Sequence, residues 1–288
     1  MELKNWILLI LLGSVWGSAF MFIKISADDF GPILLVNLRL LLAGFLFIPF
    51  LLQKKYLAHF KSHFSGILIL SIFSNAFPFT MFSYASLGAD SNMLGILNGT
   101  TAFMTMVVAY FWLKETISLK QIIGILLGFL GILILVNPAN ETSTLGASGF
   151  ALLGALSYSF SGVYIQKYQL NANKFVLIGW AMLFGGLFLT PLAFLNLPDQ
   201  MPDKNAILGL LWLGIVSTGI AYLGYIRLIE QIGAVRTSTV TYLLPVFSII
   251  WGSIFLDEKI TLIIFGGFIF VMIGMYLANN KNIKTLEN

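Results

Sequence analysis

The stretch LKETISLKQIIG at residues 113–124 returns at residues 256–267 as LDEKITLIIFGG. Leu113, Glu115, Ile117 and Gly124 fall on Leu256, Glu258, Ile260 and Gly267, an offset of 143 residues. The same offset, without gaps, carries Gly131 onto Gly274. It also carries Gly66, Leu68, Leu70, Ile72 and Ser74 onto Gly209, Leu211, Leu213, Ile215 and Ser217. Near the N-terminus it carries Ser14, Ser18 and Lys24 onto Ser157, Ser161 and Lys167. Three separate segments sharing one offset mark a chain written twice, with a first repeat over 1–140 and a second over 141–288.

Each copy is a series of long apolar runs. Hydrophobic residues make up 58% of the chain and charged residues 10%, against roughly 25% charged in soluble domains. Spans are expected near Trp6–Ile25, Pro32–Leu52, Phe64–Leu87, Ser91–Trp112 and Leu119–Val136. The second set falls near Gly146–Ile165, Phe175–Leu195, Ala206–Ile229, Val235–Leu256 and Leu262–Ala278. In lipid the backbone must pair internally, and runs this long exclude the shorter alternation of a barrel strand, so the spans are helices. The first apolar run is longer than a signal-peptide core and is read as a retained span. The fold class is therefore all-α integral membrane: ten transmembrane helices as two five-helix repeats. An odd number of spans per copy inverts the second copy, the architecture of carriers that open to alternate sides.

Loop charges orient the bundle. With the N-terminus in the cytoplasm, Lys4, Lys54, Lys55, Lys61, Lys114, Lys120, Lys167, Lys174, Arg227, Arg236, Lys281 and Lys284 are cytoplasmic. The outer loops keep only Lys204 and Lys259, with Lys24 near an outer helix end. Both termini are thus expected inside. The acids lean outward, as Asp28, Asp29, Asp90, Glu141, Asp199, Asp203, Asp257 and Glu258. The formal charge of +4 reads as membrane orientation, with no nucleic acid as partner. Local signals fit the spans. Gly31-Pro32 opens the second, Asn137-Pro138 closes the fifth, and Ser118 with Gln121 forms a capping box that Thr261 partly repeats. Glu115 and Glu258 read as carboxylates meeting the positive ends of the helices that follow them.

Polar residues inside the spans recur on the same helices of both copies, and such residues tend to face a wet interior. Ser14 and Ser18 answer Ser157 and Ser161. Asn75 answers Thr218. Asn98 and Thr101 stand on the fourth helix, with Thr241 opposite Asn98. A central polar cavity bounded by helices one, three, four, six, eight and nine follows, with the glycine-rich fifth and tenth helices outside it. Interhelical hydrogen bonding is the alternative role for any one serine. Trp16, Tyr84, Tyr158, Tyr164 and Tyr222 lie on or beside these stripes as candidate walls. Arg39, well inside the second span, reads either as a contact for a substrate carboxylate or phosphate or as an internal anchor. Its counterpart is Met182, so the cavity is asymmetric in charge. The glycines of the fifth and tenth helices read as packing within the bundle or as a homodimer face.

Several chemistries are absent from the sequence. There is no cysteine. No acid sits at mid-membrane, so facilitated diffusion or exchange is expected over tight proton coupling. His59 and His63 have helical spacing but no clear third ligand, so neither a metal nor any other cofactor is assigned. No catalytic constellation and no phosphate-cradling loop is visible, and the chain is read as not an enzyme. The competing reading is an integral-membrane enzyme acting on lipid or isoprenoid substrates, which would cluster His, Asp or Glu at one interface.

The chain resembles the drug/metabolite transporter superfamily and, within it, the ten-helix EamA-type exporters. The resemblance rests on Trp16-Gly17-Ser18 followed by Lys24, on Arg39, and on Leu113-Lys114-Glu115 and Leu256-Asp257-Glu258, each ahead of a glycine-bearing helix. Pro245 stands thirteen residues before Glu258, while the first copy has Ala102 in its place. The resemblance implies a basket-like fold in the bacterial inner membrane and export of amino acids, other metabolites or drug-like compounds. It strengthens Trp16, Ser18 and Arg39 as site residues. The implied partners are a small-molecule substrate and membrane lipid.

Overall fold

The computed structural model describes residues 2–136, 143–168, 173–233 and 237–279. Asn137, Pro138, Glu141, Val235, Arg236, Lys281 and Lys284 lie outside these residues. Among the described residues the apolar runs form ten helices. The first five are α1 (Leu3–Phe30), α2 (Pro32–Leu51), α3 (Phe64–Ser86), α4 (Ser91–Leu113) and α5 (Leu119–Leu135). The second five are α6 (Leu145–Lys167), α7 (Lys174–Phe194), α8 (Lys204–Ile232), α9 (Val240–Phe255) and α10 (Leu262–Asn279). A short helix, Lys54–Ser62, joins α2 to α3. Helix α1 runs further at its C-terminal end than the hydropathy suggested, so Asp28 and Asp29 are helical. The face on which α1 begins and α2 ends carries most of the basic residues and is called the basic face; the opposite one is the acidic face. Large apolar side chains such as Leu126, Phe129, Leu133, Phe188 and Ile254 are exposed around the barrel of helices, as expected of a surface solvated by lipid.

The two halves are related by an approximate two-fold. Helix α5 packs on α10, α2 on α7, and α4 on α9. Helix α1 packs on α9 and α8 as α6 packs on α4 and α3, and α2 meets α8 as α7 meets α3. Local geometry repeats too. Mid-helix wide π turns occupy Ser71–Ala76 in α3 and Trp212–Ile220 in α8. Lys114 and Asp257, at matching positions, both adopt left-handed backbone, with φ of 60° and 53°. Such conformations cost a non-glycine residue on the order of 1 kcal/mol or more and persist only where the surroundings impose them. Here they turn the chain out of α4 and α9 just ahead of Glu115 and Glu258.

The capping box is present: Ser118 N–H donates to Gln121 Oε1 at 2.9 Å and Gln121 N–H to Ser118 Oγ at 3.4 Å. Thr261 Oγ1 accepts from Ile264 N–H at 3.2 Å. The glycines of α5 and α10 face each other. A Cβ on Gly274 would lie 2.8 Å from Gly124 O and from Gly128 Cα. Gly124, Gly128, Gly131, Gly267 and Gly274 therefore serve packing inside the chain, the small residues letting two backbones approach closely, while a Cβ on Gly266 would meet nothing within 4 Å.

One departure from the symmetry bears on the site. Helix α10 packs against both halves of α4, whereas α5 has no comparable contact with α9 among the described residues. Helix α4 is interrupted at Thr100. Only its first half, Ser91–Gly99, lies along α9. The two helices diverge toward the basic face.

Candidate functional site

That divergence opens a cavity of about 870 Å³. Its deep end is formed by Trp16, Phe20 and Ile23 of α1, Arg39 of α2, Phe79 and Phe82 of α3, Tyr158 of α6 and Tyr222 of α8. Toward the basic face the lining passes to Asn98, Thr101 and Thr105 of α4, Tyr225 of α8 and Thr241 of α9. It ends at Glu115, Gln121, Gln166 and Tyr276. Helices α5 and α10, expected outside the cavity, contribute Gln121 and Tyr276 to its mouth.

The aromatic walls are fixed by neighbours on other helices. Trp16 Nε1 donates to Ser217 O at 2.9 Å, a carbonyl within the π turn of α8. The wide turn misaligns backbone bonds and so leaves a carbonyl for the indole. The Trp16 ring lies 5.5 Å from Tyr222 and 5.1 Å from Tyr225, centroid to centroid. Tyr158 packs 6.3 Å from Phe79 and 6.2 Å from Phe82. Arg39 is buried at 6% exposure. Its Nε donates to Thr218 Oγ1 at 2.8 Å, and the guanidinium carbon stands 4.0 Å from the centre of the Phe79 ring.

The acidic face is closed. Glu258, 8% exposed, accepts from Ser91 N–H at 2.6 Å, Ser91 Oγ–H at 2.9 Å and Asn92 N–H at 3.0 Å. It thus caps α4 across the bundle and not its own α10. Two N–H groups of the first turn of α4, which no intrahelical partner can satisfy, are bound by a carboxylate from the other repeat. Burial pushes the Glu258 carboxyl above its usual value, against the lowering effect of these three donors. Lys24 Nζ donates to Ala89 O at 2.8 Å and lies 3.4 Å from Asp90 Oδ1, so it pins the α3–α4 turn. Thr144 N–H donates to Gly88 O at 2.8 Å. At the other face the matching carboxylate, Glu115, accepts from Gln166 Nε2 at 2.6 Å.

Of the residues singled out in the sequence, Trp16, Arg39, Asn98, Thr101, Tyr158, Tyr222 and Thr241 line this cavity. The others are placed elsewhere. Ser14 offers its carbonyl to Trp251 Nε1 at 3.1 Å. Ser18 donates to Val15 O at 2.8 Å and accepts from Trp212 Nε1 at 3.1 Å, a bond that ties α1 to α8. Asn75 donates to Leu70 O at 3.3 Å within the π turn of α3. Ser161 donates to Tyr158 O at 3.0 Å. Tyr84 stacks on Phe150 with centroids 5.5 Å apart, and Tyr164 lies 4.7 Å from Tyr168. The hydroxyls of Ser18 and Ser161 found backbone carbonyls three residues back, which a serine in any helix can do. Phe79, Phe82 and Gln166 escaped the sequence reading, the first two because a phenylalanine in an apolar span carries no polar signal. Among the described residues no group of three or more His, Asp or Glu side chains could hold a metal.

The EamA-like transporter family matches this chain twice, over residues 4–137 and 146–280. A curated relative from Archaeoglobus fulgidus, described as an uncharacterized transporter, is 28% identical over 97% of this chain and 100% of its own length. A Salmonella typhimurium protein described as a probable amino-acid metabolite efflux pump is 27% identical over 96% of this chain and 95% of its own. A solved crystal structure superposes with a TM-score of 0.62 at 17% identity, covering 94% of this chain and 96% of that one. That likeness bears on the fold alone.

Proposed function

The chain belongs to the EamA-like transporter family, and from that premise we propose that it is a secondary transporter exporting small organic metabolites, such as amino acids or drug-like compounds, by alternating access. The observation that carries this reading is a chamber of about 870 Å³ open toward one face and sealed at the other by Glu258 on the N-terminus of α4. The volume is that of a small-molecule site. The positive-inside rule makes the basic face cytoplasmic, so both termini are inside and the cavity faces the compartment from which an exporter loads. The membrane in this reading is the bacterial inner membrane. The near two-fold of the packing supplies the return state: parting α4 from α9 at the acidic face and closing α5 onto α9 would mirror the conformation described here. The substrate-binding side chains in this reading are those that line the chamber, with Arg39 and the rings of Trp16, Tyr158 and Tyr222 at its floor.

The test uses the absence of cysteine. Thr241→Cys, placed in the cavity, is labelled by an impermeant maleimide in oriented vesicles, alongside flux of labelled metabolites into proteoliposomes. Labelling from the cytoplasmic side together with saturable flux is expected. Labelling from the outer side alone, or no saturable flux for any of a broad metabolite panel, overturns the proposal.

A further inference from the structure

The floor of the cavity holds a positive charge that the protein leaves without a counter-ion. Arg39 is inside the bundle, and no carboxylate among the described residues lies within ion-pair distance of it; the ion pairs found are Lys4 with Glu2 and Lys24 with Asp90. A guanidinium cannot be deprotonated in a protein and carries five N–H donors. One of them, on Nε, is committed to Thr218 Oγ1, and one face of the plane is committed to the Phe79 ring. The other deep lining residues are Phe79, Phe82, Tyr158, Tyr222, Trp16 and Phe20, with two phenol hydroxyls and no acid among them. The one acid on the cavity wall, Glu115, stands at the mouth beside Gln166.

Resting on the transporter reading above, we propose that the cargo is the monoanion of an aromatic or bulky apolar carboxylic acid, one without an amino group. A buried charge with no counter-ion is unfavourable, and a carboxylate that docks on the Nη fork relieves it through two parallel charge-assisted bonds. A monoanion neutralises the floor of the chamber, where Glu115 at the mouth does not reach. A zwitterion leaves that floor with net positive charge and sets its ammonium a few ångströms from the guanidinium, where like charges in a weakly polar surrounding repel strongly. The ring faces that would otherwise receive an ammonium by cation–π attraction lie beside a cation already held by one of them. They are suited instead to the apolar body of the acid.

The experiment compares three molecules of nearly one shape: 3-phenylpropionate, phenylalanine and phenethylamine. Each is titrated at pH 7 into the purified full chain in lipid nanodiscs by calorimetry. The expected order is 3-phenylpropionate tighter than phenylalanine by about tenfold or more, the step that 1.4 kcal/mol confers, with no binding of the amine. Arg39→Gln abolishes the order, and Arg39→Lys keeps a weakened preference for the anion because the charge stays while the fork is lost. Phenylalanine equal to or tighter than 3-phenylpropionate, competition by phenethylamine, or an unchanged order in a folded Arg39→Gln protein overturns the assignment. Should Arg39→Gln fail to fold, the order in the wild-type protein decides alone. Flux separates the two layers of inference. Proteoliposomes that carry phenylalanine and refuse 3-phenylpropionate sink the cargo assignment and leave the transporter standing. No saturable flux for any metabolite sinks the transporter.

Discussion

Removing the Glu258 side chain should open the acidic face. The carboxylate accepts two backbone N–H bonds, from Ser91 at 2.6 Å and Asn92 at 3.0 Å, and one hydroxyl bond from Ser91 at 2.9 Å. In Glu258→Ala those two N–H groups have no acceptor while the face is closed, at about 1–3 kcal/mol each, but water satisfies them when it opens. Taking about 2 kcal/mol as the lower bound, the closed-to-open ratio falls by roughly 30-fold. Glu258→Gln should shift it less. The amide oxygen keeps the Ser91 N–H bond and the amide nitrogen can donate to Ser91 Oγ, so one N–H is abandoned and the cost of burying a charge is removed. Ser253 reports the change, since its Oγ is buried and makes no hydrogen bond, so Ser253→Cys is a mild substitution. The assay is the rate at which an impermeant maleimide labels Ser253→Cys from the acidic face, with and without Glu258→Ala. A rate rise of about 30-fold is expected. An unchanged rate with a lowered unfolding temperature would refute the reasoning: Glu258 would then pin the fold and not gate the face.

Acidity should act on the same contact. The closed face holds the Glu258 proton more tightly than a solvated carboxyl does, so protons favour closure. Lowering pH through the raised carboxyl value should shift spin-label distances across the ends of α3 and α9 toward the closed distribution, and Glu258→Gln should remove that dependence. Gly274→Ala places a methyl 2.8 Å from backbone atoms of Gly124 and Gly128, which cannot yield as a side chain would. About 1–3 kcal/mol of destabilisation is expected, read as a lower unfolding temperature in detergent; an unchanged temperature would place the α5–α10 contact elsewhere. Trp16→Phe keeps an aromatic ring beside Tyr222 and Tyr225 but loses the bond to Ser217 O. About 1 kcal/mol of stability should go, with weaker ligand binding in the cavity by calorimetry, and full retention of both would show the indole nitrogen to be dispensable.

The sequence by itself determined the helices and their repeat, because these depend on composition along a single line. Runs of apolar residues must become helices in lipid, and an offset of identities needs no tertiary knowledge. Even the capping box of Ser118 and Gln121 was legible, since both partners sit within one turn. Cavity lining was legible only in part. Ser18 and Thr101 both read as polar residues on a helical stripe, yet Ser18 ties α1 to α8 through Trp212 while Thr101 faces the chamber. A serine satisfies its hydroxyl on its own helix as readily as across a cavity, so the stripe alone does not say which side is wet. Phe79 and Phe82 carried no signal at all, for their role comes from standing beside Arg39 and Tyr158. Glu258 was read as serving its own helix because sequence shows only neighbours along the chain, whereas the N-terminus of α4 reaches it through space. Which side of a near-symmetric bundle is open is a matter of how two similar halves settle against each other, and that is decided by packing between residues far apart in sequence.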